Sequence, residues 1–131
     1  MDQKRLSVKY KMKYLITGGA GFIGSHIARA LLQQGANVRI LDNFSSGKRE
    51  NLSGLDVELI EGDLRDASCV TEAVRGVNII FHEAAFVSVP ESMEKPQECF
   101  DVNVTGTSTL FEAARKAGVN RIVIASSAAV Y

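Results

Sequence analysis

Five short apolar runs, "KYLIT", "ANVRILD", "VELIEGD", "VNIIFHEAA" and "NRIVIAS", punctuate the chain, and most of the intervals between them carry apolar residues at helical spacing. Runs this continuous suit strands covered on both faces, and strands alternating with helices are joined by right-handed crossovers into a parallel sheet. The expected fold class is therefore α/β, a doubly wound parallel sheet. A length of 131 residues accommodates one such core and not two. Acidic and basic residues balance at 15 each, so no excess positive field exists to hold nucleic acid. No apolar run approaches the roughly 18 residues of a membrane span. Cys69 and Cys99 have neither C-x-x-C spacing nor a histidine pair nearby, so no metal site or disulfide framework is expected, and reduced thiols in a cytoplasmic protein are. The head of the chain, with Lys4, Arg5, Lys9, Lys11 and Lys13, reads as a solvated extension over 1–11, with the folded domain spanning 12–131.

The first run leads straight into "GGAGFIG", and "SHIARALLQQG" then spaces Ile27, Ala28, Leu31 and Leu32 as a helix. Strand, glycine turn and helix follow one another, as in Rossmann-type sheets. Gly18, Gly21 and Gly24 suit that turn: absent side chains let it close tightly, let a pyrophosphate approach the amides of the helix N-terminus, and let helix and strand pack closely. Further on, "NFSSGKRENLSG" reads as a loop with one helical turn, and "DASCVTEAVRG" as a helix capped by Asp66. Pro90 and Pro96 punctuate a loop or short helix, and one helix is expected from Gln97 to Lys116, closed by Gly118.

Ligands of open parallel sheets bind beyond the carboxyl ends of the strands. Asp42 ends the second strand, where a carboxylate accepts from ribose hydroxyls and repels a 2′-phosphate, which favours NAD over NADP. Lys48 and Arg49 stand close enough in sequence to oppose that preference, or to be plain solvated charges. Asp63, ending the third strand, is placed either to accept from an adenine amino group or to cap the next helix. His82 and His26 have no metal-spaced partners and read as structural histidines bonded to backbone.

Six coupled motifs, "TGGAGFIGSH", "LDNFSSG", "EGDLRD", "HEAA", "DVNVTGT" and "SSAAVY", resemble in order and spacing the extended short-chain dehydrogenase/reductase family, particularly its NAD-dependent nucleotide-sugar epimerases and dehydratases. The resemblance runs from about Lys13 to Tyr131. It implies NAD as cofactor, with Phe22 and Ile23 lining the pyrophosphate turn and Asp42, Asn43, Ser45 and Ser46 holding the adenosine ribose and nearby phosphate. Asp63 and Leu64 would frame adenine, while Ala84, Ala85 and Asn103 would flank the nicotinamide side. Val87 stands where some galactose epimerases carry lysine. The resemblance also implies a homodimer.

In that family the serine at the place of Ser127 hydrogen-bonds the sugar hydroxyl undergoing oxidation, and a later Tyr-x-x-x-Lys supplies the base. Ser127 is present without that motif, so the chain is expected to be the cofactor-binding front part of a longer enzyme, its fold incomplete relative to the family. A non-catalytic NAD(H)-binding module is the alternative from another class. Dehydratases carry an acid pair where this chain has Ala128 and Ala129, and alanine can neither donate nor accept the protons that elimination needs. With "SVPES", from Ser88, resembling UDP-N-acetylhexosamine 4-epimerases, the resemblance implies a UDP-sugar 4-epimerase acting on UDP-glucose or UDP-N-acetylglucosamine, with Ser88 and Ser127 on the substrate side and a nucleotide-sugar dehydratase or reductase as the alternative.

Overall fold

β1 (Lys13–Thr17), β2 (Asn37–Asp42), β3 (Glu58–Glu61), β4 (Ile79–His82) and β5 (Arg121–Ile124) form one sheet, all neighbours parallel, in the order β3-β2-β1-β4-β5. The computed structural model describes residues 10–131, so positions 1–9 of the expected basic extension lie outside the described residues. The order runs outward from β1 in both directions, and the chain switches sides between β3 and β4. That switch leaves a crevice at the carboxyl ends of β1 and β4, where neighbouring crossovers part to opposite faces.

Alternation along β1 divides the core. Leu15 faces one layer with Leu41, Ile80, Val70, Val74 and Leu110, while Ile16 faces the other with Ile40, Ala28 and Leu31. α2 (Ala67–Val74) and α5 (Thr107–Ala117) cover the first face, and α1 (Phe22–Gln33) the second. Each fully buried Leu or Ile contributes about 1.5–3 kcal/mol by removal from water, which is why the strands stay in register despite their brevity.

Asp66 caps α2 as its position suggests, accepting from the amides of Ser68 and Cys69. The polar loop after β2 holds a single 3₁₀ turn, Arg49–Leu52. Ser88 caps the short α3 (Val89–Glu94), with Pro90 in its first turn. The single helix expected from Gln97 to Lys116 is instead three consecutive pieces: α4 (Pro96–Phe100), a π segment (Asp101–Gly106) and α5. Two contacts account for the wider turn. Asn103 is committed to the backbone of Phe86, and Gly106 lies so close to Leu64 that an added Cβ would come within 2.9 Å of the leucine Cβ. π turns of this kind re-aim side chains where function or packing demands it.

Candidate functional site

Register places the site. Thr17 pairs with Leu41 on one side and His82 on the other, and His82 with Ile124, so β1, β2, β4 and β5 finish nearly level. Into the crevice between β1 and β4 runs the glycine turn. Gly18 adopts φ +70°, a left-handed conformation, and sits so near β4 that a Cβ would come 2.8 Å from the Ala84 nitrogen. Gly24 lies so close to the turn that a Cβ there would meet the Gly18 carbonyl oxygen. The two glycines thus let α1 start directly above the strand ends. Its first turn carries no acidic residue and no side-chain cap, leaving the positive end of the helix dipole facing the cleft.

The cleft measures about 350 Å³ and is lined by Gly18, Gly21, Phe22, Ile23, Gly24, Asp42, Asn43, Ser46, Asp63, Leu64, Ala84 and Ala85 among the expected residues. Phe22 and Ile23 leave 77% and 61% of their surface exposed there, an apolar lip backed on the Phe22 side by the His26 ring, 4.5 Å between centroids. A larger hollow of 690 Å³ opens at the opposite edge, beside Lys11, Arg29, Gln33 and Asp56. It meets the carboxyl end of α1, whose dipole has the wrong sign for phosphate, so the smaller cleft is the nucleotide candidate.

The two acids at the cleft differ in what they have left to offer. Asp42, 8% exposed, accepts from the Ala20 amide (2.9 Å, Oδ2) and the Phe44 amide (2.8 Å, Oδ1). A carboxylate has about four acceptor positions, so one remains on each Asp42 oxygen. Asp63 has all four filled. Its Oδ1 accepts from the Arg65 amide (2.9 Å) and Nε (2.8 Å), and its Oδ2 from Arg65 Nη2 (2.8 Å) and Asn43 Nδ2 (2.9 Å). The Arg65 guanidinium holds the Asp63 carboxyl well below the usual carboxylate range. Asp63 does not cap α2; that role is Asp66's alone.

Ser45, Asn103, Ser88 and Ser127 do not line the cleft. The Ser45 amide donates to Asn43 Oδ1, tightening the loop, and Asn103 clamps Phe86 by accepting from its amide (2.7 Å) and donating to its carbonyl (3.0 Å). The Ser88 hydroxyl caps α3, and the Ser127 hydroxyl accepts from the Ala129 amide (3.1 Å) at the start of a 3₁₀ turn, Ala128–Val130. Arg49 is tied to Glu61 and lies 4.2 Å over the Phe44 ring.

His82 corrects the expectation of a backbone partner. Its Nδ1 meets the Thr17 hydroxyl (2.6 Å) and its Nε2 the Thr107 hydroxyl (2.8 Å), joining β1, β4 and α5, because the buried strand end offers hydroxyls where the ladder has used the carbonyls. Burial pulls its pKa down to about 4. His26 does bond backbone, to the Phe22 carbonyl (2.7 Å). Glu83, one residue beyond His82, lines the cleft from the β4 side, and burial raises its carboxyl pKa. Its sequence signal was alternation: the residue after an inward-facing His82 must face the other side. Val87 and Val102 also line the cleft. Among the described residues no cluster of histidine, cysteine and acids could hold a metal, and no helix is long and apolar enough to cross a membrane.

Residues 14–131 match the model of the NAD dependent epimerase/dehydratase family. A UDP-glucose 4-epimerase of Klebsiella pneumoniae is 44% identical over 128 residues, covering 92% of either sequence. The solved UDP-glucose 4-epimerase of Thermus thermophilus, in complex with NAD, superposes with a TM-score of 0.83 at 46% identity over 88% of this chain. DesIV, the dTDP-glucose 4,6-dehydratase of Streptomyces venezuelae, gives 0.79 at 39% identity over 85%. The chain spans only 38% of each of those two solved chains.

Proposed function

Because the chain belongs to the NAD dependent epimerase/dehydratase family, we propose that it is the NAD-binding portion of a nucleotide-sugar epimerase that interconverts UDP-sugars at C4. The observation that carries the cofactor reading is the junction of the open α1 N-terminus with Asp42. The helix end supplies amides and positive potential for a pyrophosphate, and the free acceptor position on each Asp42 oxygen matches the two hydroxyls of an adenosine ribose. A 2′-phosphate would meet the same carboxylate, and of the two cations able to oppose that, Lys48 and Arg49, the second is already engaged by Glu61. The residues therefore fit NAD better than NADP.

When bound, NAD supplies a hydride acceptor and donor at its nicotinamide. The residues that would bind and orient it line the cleft: Phe22 and Ile23 at the pyrophosphate turn, Leu64 beside the base, and Ala84 and Ala85 on the nicotinamide side. Asn103 acts through the loop it clamps. Ser127 would orient the sugar hydroxyl, and with no adjacent Tyr-x-x-x-Lys in this segment it orients without a proton acceptor, so the 131-residue chain alone should not turn over UDP-sugars. UDP-glucose or UDP-N-acetylglucosamine is the substrate we assign, with residues 12–131 as the cofactor-binding unit. A homodimer is supported by the exposed apolar Phe100, Val104 and Phe111 along α4, the π segment and α5, and a cytoplasmic setting by two free thiols.

A dehydratase is the second reading, favoured by the likeness to the Streptomyces venezuelae enzyme. Ala128 and Ala129 weigh against it, since elimination needs an acid and a base within hydrogen-bond reach of the sugar. The test is mass spectrometry of the product formed by the parent protein from UDP-galactose with NAD⁺. An epimer retains the substrate's mass and separates from it chromatographically as the C4 isomer; a product lighter by one water would transfer the assignment to the dehydratase.

A further inference from the structure

The crowding of Asp63 has a consequence for base recognition. On the NAD reading, which this inference rests on, the adenine amino group must donate to Asp63, yet all four acceptor positions of that carboxylate are occupied. One donor has to yield. The Arg65 amide is fixed by the backbone turn that opens α2, where the Asp66 amide also donates to the Asp63 carbonyl. The Arg65 side chain is free to move: it is 41% exposed, and a second acceptor waits beside it, Glu98 on α4, with Oε1 3.9 Å from Arg65 Nη1.

We propose that Arg65 is a positioning residue for the adenine end of the cleft: its guanidinium holds the Asp63 acceptor that the amino group needs and passes to Glu98 on α4 when that group arrives. The exchange gives up the two side-chain hydrogen bonds from Arg65 to Asp63, and the bond from the amino group to Asp63 together with the pair to Glu98 offsets them. The exchange also links base binding to α4, and so to the π segment that follows it. Before adenine arrives, the latch keeps the Asp63 charge satisfied; afterwards, it keeps the carboxylate aimed through the Arg65 amide and Asn43, which remain.

The test compares NAD⁺ with nicotinamide hypoxanthine dinucleotide, which presents a carbonyl in place of the amino group, so that the exocyclic donor to Asp63 becomes an acceptor. Calorimetric dissociation constants for both are measured on the 131-residue chain, on Arg65→Met and on Glu98→Gln. Losing the Arg65 charge weakens attraction to both pyrophosphates alike, so the ratio of the two constants isolates the base. Preference for NAD⁺ should rise by about threefold in Arg65→Met, the scale of one weak surface pair removed, and fall in Glu98→Gln, which offers the guanidinium a neutral amide oxygen in place of a carboxylate. Equal ratios in all three proteins, or a lower ratio in Arg65→Met, overturn the latch and leave NAD binding standing. If Arg65→Met does not fold, the Glu98→Gln ratio decides alone, an unchanged value overturning the latch. An unmodified chain that binds neither dinucleotide overturns the NAD reading and the latch with it.

Discussion

His82 shows how a single side chain ties the site to the stability of the fold. Its imidazole sits between Thr17 and Thr107, 4% exposed, and burial lowers its pKa from 6.5 to about 4. Above pH 6.5 the ring is neutral whether the chain is folded or not. As pH falls from 6.5 toward 4, the unfolded chain takes up a proton that the folded one refuses, so stability is lost on acidification, by about 3 kcal/mol across the window. Urea unfolding at pH 7 and pH 5 should show about 2 kcal/mol of this loss, and His82→Gln should remove most of it, whatever its effect at pH 7. An equal loss in the variant would mean that other groups carry the pH dependence. The histidine's structural role was legible from the lack of metal-spaced partners. Its hydroxyl partners were not, because Thr17 and Thr107 are far from it in sequence and meet it only through strand register and the placement of α5.

Elements in this chain are held at their ends by long-range partners. Arg39 on β2 reaches across to the last turn of α2, donating through Nη1 to the carbonyls of Ala73 and Arg75 (both 2.8 Å) and, more weakly, Glu72 (3.4 Å), while Nη2 pairs with Glu58 on β3. This one buried guanidinium meets the carbonyls at the end of α2, just before Gly76 turns the chain at φ +70°, and ties β2 to β3. Arg39→Met would take this donor from the Ala73 and Arg75 carbonyls, while Glu72 keeps the Arg75 amide, and is expected to cost about 2–4 kcal/mol in urea unfolding, with Arg39→Lys recovering little because one ammonium cannot span the set. A change below about 0.5 kcal/mol, the size of an ordinary surface substitution, would refute this account of α2. Nothing in the apolar pattern announced Arg39, since a charge inside "NVRILD" looks like an exposed position on a half-solvated strand. The strands and α1 were legible because continuous apolar runs and 3.6-residue spacing each have one good solution. The π segment was not: "DVNVTG" consists of poor helix formers, which does not specify a wider turn, and that turn comes from Asn103 and Gly106 meeting Phe86 and Leu64.

At the scale of the whole molecule, the sheet order brings the glycine turn, Asp42 and Asp63 to one edge, and the opposite edge presents helix carboxyl ends of the wrong polarity for phosphate. Motif order made most of the cleft wall readable in advance, because every motif but "DVNVTGT" lies at the end of a strand and parallel strands finish level. The serines at 88 and 127 were readable as residues and not as places: in this segment both serve as caps outside the cleft. The account therefore rests on the cofactor end, where the geometry is complete, and its central claim is that Asp42 selects a dinucleotide without a 2′-phosphate. Calorimetric titration of the unmodified chain with NAD⁺ and with NADP⁺, repeated on Asp42→Ala, tests this most directly. We predict tighter binding of NAD⁺ by the unmodified chain and a preference that weakens or reverses in Asp42→Ala; equal affinities for the two cofactors in the unmodified chain would contradict it.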